Sequence, residues 1–249
     1  MNASVRENPW LVCLLPLAVF MLVGSFEPAP PAIAAKSAAP SWLDLGIEYR
    51  HYPIVYAIKI ALTIAAMVFV WPGYRKYACR WNWGLPLAVG ILGAAAWIAL
   101  AELQHSLCEH TEINWLKSLG ARSAFNPLQE LRDQPYLAYG FLVIRFVGLV
   151  LIVPVIEEFF LRGCAMRYVI SDRFWNVPFG NVNRTAAVAG TLIPVLMHPQ
   201  EAFAALLWFS AVTWLMVRTR NIWDCVFAHA VTNLLLGIFV FCSGEWWLM

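Results

Sequence analysis

Seven apolar stretches leave this chain few ways to fold. They run from Trp10 to Phe26, Ile54 to Trp71, Leu85 to Leu103, Tyr139 to Leu161, Thr185 to His198, Ala202 to Val217 and Ile222 to Cys242. A run of this kind spans a bilayer as a helix, because hydrocarbon offers no partner for backbone N–H and C=O groups. The expected fold is an all-α, polytopic transmembrane helix bundle of about seven spans. The fifth and sixth are short, separated by His198-Pro199-Gln200-Glu201. With 61% hydrophobic and 13% charged residues, the composition is far from that of a soluble domain. A net charge of +2, thinly spread, excludes a nucleic-acid surface. Thirteen Trp suit the two membrane interfaces.

Basic residues set the expected orientation. Arg6 precedes the first span, Arg75, Lys76 and Arg80 follow the second, Arg167, Arg173 and Arg184 follow the fourth, and Arg218 and Arg220 follow the sixth. All fall on one side, which the positive-inside rule assigns to the cytoplasm. The chain is thus expected to be multi-pass in a bacterial cytoplasmic (inner) membrane. Three regions are expected: an N-terminal helix and Pro/Ala-rich linker over 1–52, two helices and a polar outward loop over 53–136, and a helical core over 137–249. Ala32-Ile33-Ala34 resembles a signal-peptidase site, but the long apolar run before it and the prolines close behind favour an uncleaved first helix.

Some polar features read as structural. His105, Glu109, His110 and Glu112 lie between Gln104 and Pro135 without regular ligand spacing, so they read as a solvated loop. The six Cys show no CxxC pairing and most sit in or beside apolar spans as small hydrophobes. No metal and no cofactor is expected. Arg145 is expected to snorkel to the interface.

The exception is Pro154-Val155-Ile156-Glu157-Glu158-Phe159-Phe160-Leu161-Arg162-Gly163. An ionised side chain near the bilayer centre costs at least about 2.5–3.5 kcal/mol. On a helix, Glu158 and Arg162 are i and i+4 and can pair, while Glu157 is turned about 100° away and stays freer. Three more polar residues interrupt apolar spans: His198, and His229 with Asn233 at i, i+4 on the last. At 1.5 Å rise per residue, Glu157 lies roughly 15 Å from Arg167, His229 roughly 14 Å and Asn233 roughly 20 Å from Arg220, and His198 roughly 21 Å from Arg184. The four are expected in one layer inside the membrane. Such groups can simply bond helix to helix. Together they are also the parts of a water-activating hydrolase. Glu157 would be general base, His198 would hold the water, and His229 with Asn233 would stabilise an oxyanion.

Glu-Glu-x-x-x-Arg (Glu157, Glu158, Arg162), then His198, then His-x-x-x-Asn (His229, Asn233), in that order, resembles the CPBP intramembrane proteases. That family includes the CAAX prenyl endopeptidases of the Ras-converting type. The resemblance covers roughly Tyr139 to Val240. It implies a glutamate-type intramembrane endopeptidase with Glu157, His198, His229 and Asn233 catalytic and Glu158 and Arg162 supporting. The second motif departs from the family, since Pro194 stands where Phe is usual. The N-terminal part, with its Trp71-Pro72-Gly73-Tyr74-Arg75-Lys76 turn, looks like CAAX-protease-related proteins of bacterial exosortase systems. It implies a membrane-anchored or C-terminally tagged protein substrate and an exosortase-system partner. Other readings stay open: a zinc-dependent intramembrane protease, a proton-coupled carrier, or a non-catalytic scaffold or immunity protein.

Overall fold

The computed structural model describes residues 5–29, 46–80, 83–112 and 124–248. Among these the fold is all helical. Seven helices carry it: α1 Pro9–Gly24, α2 Tyr52–Tyr74, α3 Gly84–Glu109, α4 Pro135–Tyr168, α5 Arg184–Met197, α6 Ala202–Thr219 and α7 Ile222–Ser243. Five, α2, α3, α4, α6 and α7, are long and apolar enough to cross a membrane, while α1 and α5 are shorter apolar helices. The Ala32-Ile33-Ala34 triplet lies outside the described residues.

Local chemistry sets several helix starts. Asn8, Asn183 and Asn221 each cap a helix by accepting a backbone N–H through the side-chain oxygen, from Trp10, Ala186 and Trp223 respectively. The helix α3 lies tight against α7 and α6 because two of its contact positions are glycine. A Cβ at Gly90 would stand 2.7 Å from Val231, and one at Gly93 2.5 Å from Trp208. Small residues are what allow membrane helices to approach this closely.

The basic clusters converge on one end of the bundle. Lys76 pairs with Glu7 at 2.9 Å, and Arg6 donates to the Phe69 and Val68 carbonyls. Trp223 Nε1 donates to the Tyr77 carbonyl at 3.1 Å, and Arg167 Nη1 donates to Tyr77 Oη at 3.3 Å. The charge pattern along the chain and the packing of the helices therefore pick out the same face.

The structure corrects four expectations. Arg145 does not snorkel: it is 4% exposed and donates from Nη1 to the Phe125 carbonyl at 3.2 Å, with its guanidinium over Phe141. The backbone before α4 supplies that acceptor inside the bundle. Second, α3 continues past Leu103 to Glu109, so His105 and Glu109 are helical i, i+4 neighbours 3.3 Å apart rather than loop residues. Gln104 explains the extension. Its amide donates to the Pro199 carbonyl and accepts from Phe203 N–H, both at 3.0 Å, satisfying backbone freed by the break between α5 and α6. Third, α4 does not end at Leu161, and Arg167 is not a free loop charge. It is buried, bonded to the carbonyls of Gly163, Val177 and Trp175. Fourth, Trp71-Pro72-Gly73 stays helical to Tyr74, where Gly73 is pressed onto Val12 of α1.

Candidate active site

Helix α4 carries the two glutamates between two irregularities. Its backbone widens to a π pattern at Gly148–Ile152, is α-helical over Val153–Glu158, and widens again at Phe159–Ala165. Pro154 is tied to the first of these. Val153 N–H reaches back to the Gly148 carbonyl, an i, i+5 bond. The next bond in that pattern would join residue 154 to the Leu149 carbonyl, and Pro has no N–H to give. Asn233 of α7 supplies the missing donor, with Nδ2 2.8 Å from the Leu149 oxygen. One of its two amide hydrogens is thereby committed to the helix.

Glu158 is fully buried and shared. One carboxylate oxygen accepts from Arg162 Nη1, as the i, i+4 spacing predicts, and the other faces His229 Nδ1 at 3.0 Å. Arg162 also donates from Nη2 to the Phe209 carbonyl at 3.2 Å, which joins α4 to α6. Paired and hydrogen-bonded, two charges are tolerated inside low dielectric, and of their polar atoms only Arg162 Nε is left without a hydrogen bond. This knot holds α4, α6 and α7 together.

Glu157 points elsewhere. With 17% of its side chain exposed, it faces a cavity of about 210 Å³, and its Oε2 lies 3.9 Å from His229 Nε2. At that separation the two are not hydrogen-bonded. The same cavity is lined by His198, His229 and Asn233, so all four residues selected from the sequence meet in one place. Trp97, Trp208 and Phe209 form its apolar wall. Trp208 sets its ring edge-on against His229, centroids 4.6 Å apart, while its Nε1 donates to Thr232.

His198 reaches this cavity because α5 is short. Fourteen residues rise about 21 Å, less than the bilayer core of about 30 Å, so the helix ends inside. His198 is its C-terminal cap, and the Pro194 carbonyl faces both its backbone N–H, at 3.0 Å, and its ring Nδ1, at 2.9 Å. A carbonyl only accepts, so Nδ1 carries the hydrogen and Nε2 is left for other partners. Pro194 therefore does not displace His198; its oxygen fixes the ring. A second, smaller cavity of about 10 Å³ is lined by both Glu157 and His198.

Sequence spacing did not reveal the rest of the site. The Glu158–His229 contact was hidden because adjacent glutamates cannot be told apart by depth. The signal available was that one arginine leaves half of a buried carboxylate unsatisfied. Phe20 of α1 and Leu248, which also line the cavity, carry no motif at all. His105, Glu109, His110 and Glu112 lie away from it, and among the described residues no three His, Cys, Asp or Glu side chains are grouped as metal ligands would be.

Residues 139–235 match the Rce1-like family, type II CAAX prenyl endopeptidase Rce1-like. The matched segment contains Glu157, Glu158, Arg162, His198, His229 and Asn233. No curated protein and no solved structure gives a significant match. The family and the apolar helices together support a multi-pass membrane protein, an intramembrane protease of the general CAAX type acting on a membrane-protein substrate.

Proposed function

We propose that a CAAX-type protease with this cavity hydrolyses a peptide bond by glutamate-activated water. Glu157 and His198 line the water-sized cavity between them, and about 10–15 Å³ is what one water needs. In this reading Glu157 takes the proton as the water oxygen attacks the scissile carbonyl carbon, and His198 holds the water through Nε2. The carbonyl oxygen becomes an oxyanion facing His229 and the second amide hydrogen of Asn233. As an imidazolium, His229 donates through both nitrogens, Nδ1 to Glu158 and Nε2 into the cavity. Collapse of the intermediate breaks the C–N bond, and the proton held by Glu157 passes to the leaving amine. Glu158 and Arg162 support the site by fixing His229 and the helix that carries Glu157.

The observation that carries this reading is the meeting of Glu157, His198, His229 and Asn233 on one cavity inside the helices. In the same proposal the substrate is a membrane-anchored or C-terminally tagged protein of a bacterial inner membrane, with an exosortase-system protein as partner, identified by co-purification with an inactive variant. Cleavage of a membrane peptide in ¹⁸O-labelled water tests the chemistry. One label should enter each new carboxyl terminus, and a chelator should leave the rate unchanged. Activity lost to the chelator and restored by zinc contradicts the mechanism.

A further inference from the structure

Away from the cavity, at the end of the bundle where the basic clusters meet, lies a larger cleft of about 580 Å³. Arg80, from the turn after α2, and Arg218 and Arg220, at the end of α6, line it. No ion pair among the described residues engages any of these three guanidinium groups. The one carboxylate on the cleft, Asp224, is 2% exposed and accepts from Asn221 Nδ2 at 3.0 Å, so it is turned inward.

The backbone is built around this arrangement. Arg220 is the only non-glycine residue with positive φ among those described, at 52°. A residue other than Gly in the left-handed region is uncommon and points to a held conformation. Its side chain is packed on Gly180, where an added Cβ would stand 2.7 Å from Arg220 Cγ. The Asn221 amide also donates to the Arg80 carbonyl at 2.5 Å, which fastens the turn after α2 to the start of α7.

An adjoining pocket shares Arg218 and Arg220 and continues onto Trp214 and Val217. Both are exposed, on a helix apolar enough to span the membrane. A ligand matched to the whole feature has an anionic head and a hydrocarbon body. Guanidinium forks suit phosphate oxygens, and basic pockets between helix ends at the membrane surface take anionic lipid headgroups.

We infer that the cleft formed by Arg80, Arg218 and Arg220 binds the phosphate headgroup of an anionic phospholipid, with its acyl chain lying along Trp214 and Val217. The test uses full-length protein in nanodiscs of equal phosphatidylglycerol and phosphatidylcholine, with retained lipid read by native mass spectrometry. Wild type should retain phosphatidylglycerol about 100-fold over phosphatidylcholine, since three arginines near a membrane surface each contribute roughly fivefold. Arg218→Gln with Arg220→Asn should cut that preference to about fivefold, the share left to Arg80, Asn being chosen because it tolerates positive φ. Arg75→Gln, on the same face but outside the cleft, should keep it. Equal retention of both lipids by wild type overturns the inference. So does loss of preference in Arg75→Gln equal to that in the double variant, which would mean general surface charge. Displacement of the lipid by millimolar glycerol phosphate alone would identify a soluble phosphate ligand and overturn the lipid assignment. A melting curve like that of wild type shows that the double variant is folded.

Discussion

Two carboxylates in this molecule, one partly and one fully buried, meet a cation among the helices, and they end differently. Glu27, just after α1, pairs with Lys59 of α2, whose ammonium lies over the Phe20 and Tyr56 rings at 4.3 and 4.4 Å. That pair closes on itself and straps α1 to α2. Glu158 pairs with Arg162 but keeps an oxygen for His229, and the chain places a second carboxylate, Glu157, one residue before it. The first arrangement neutralises charge. The second also leaves Glu157 facing a cavity. Burying an ion pair is therefore no sign of chemistry; in the proposed reading, a neighbouring carboxylate that no hydrogen bond engages is.

Variants can separate the two regions. The largest effect is expected from Glu158→Gln, which leaves Arg162 without its counter-charge and loosens His229. Breaking a fully buried pair costs about 3–5 kcal/mol, so both the thermal midpoint and cleavage should fall together. A variant that melts like wild type would show that the knot is not structural. Asn233→Ala comes next, with cleavage down about 10²-fold for a lost oxyanion donor and stability down by only about 1 kcal/mol for the bond to the Leu149 carbonyl. Lys59→Met should cost about 2 kcal/mol in denaturant titration, because Glu27 keeps some solvent access, while cleavage by the folded fraction persists. Lys59→Met with Glu27→Leu should recover most of that loss. Cleavage abolished in the folded single variant would erase the distinction between the regions. Leu248→Ala, buried at the cavity edge, should cost about 2 kcal/mol of stability, the low end for a buried Leu, and leave the rate on a small peptide unchanged.

The all-helical architecture was legible because a membrane helix needs a long apolar run, although only five of the seven expected spans are long enough to cross, and the basic face was legible because charges cannot cross the bilayer. The meeting of Glu157, His198, His229 and Asn233 on one cavity was legible for the complementary reason: each is expensive inside a membrane and stands out against Leu and Val. What spacing did not convey was direction within the layer. Whether His229 turns to Glu157 or Glu158 depends on a ring angle set by Trp208 and on the spare oxygen of Glu158. The π segments, which make Leu149 available to Asn233, depend on how α4 resolves Pro154 against its neighbours. Arg145 was misread for a similar reason, because its acceptor, the Phe125 carbonyl, comes from outside the apolar run. The extension of α3 was hidden because a helix-end glutamine finds its partners ninety-five and ninety-nine residues away.

The account turns on the separation of the two adjacent glutamates. Its most direct test is the single-turnover cleavage of a membrane peptide by Glu157→Gln, measured beside its melting curve. Removing the base should lower the rate by about 10²–10⁴-fold, while the thermal midpoint stays near the wild-type value because Glu157 is partly exposed and 3.9 Å from His229, beyond hydrogen-bond reach. Cleavage at the wild-type rate in that folded variant would contradict the assignment of Glu157.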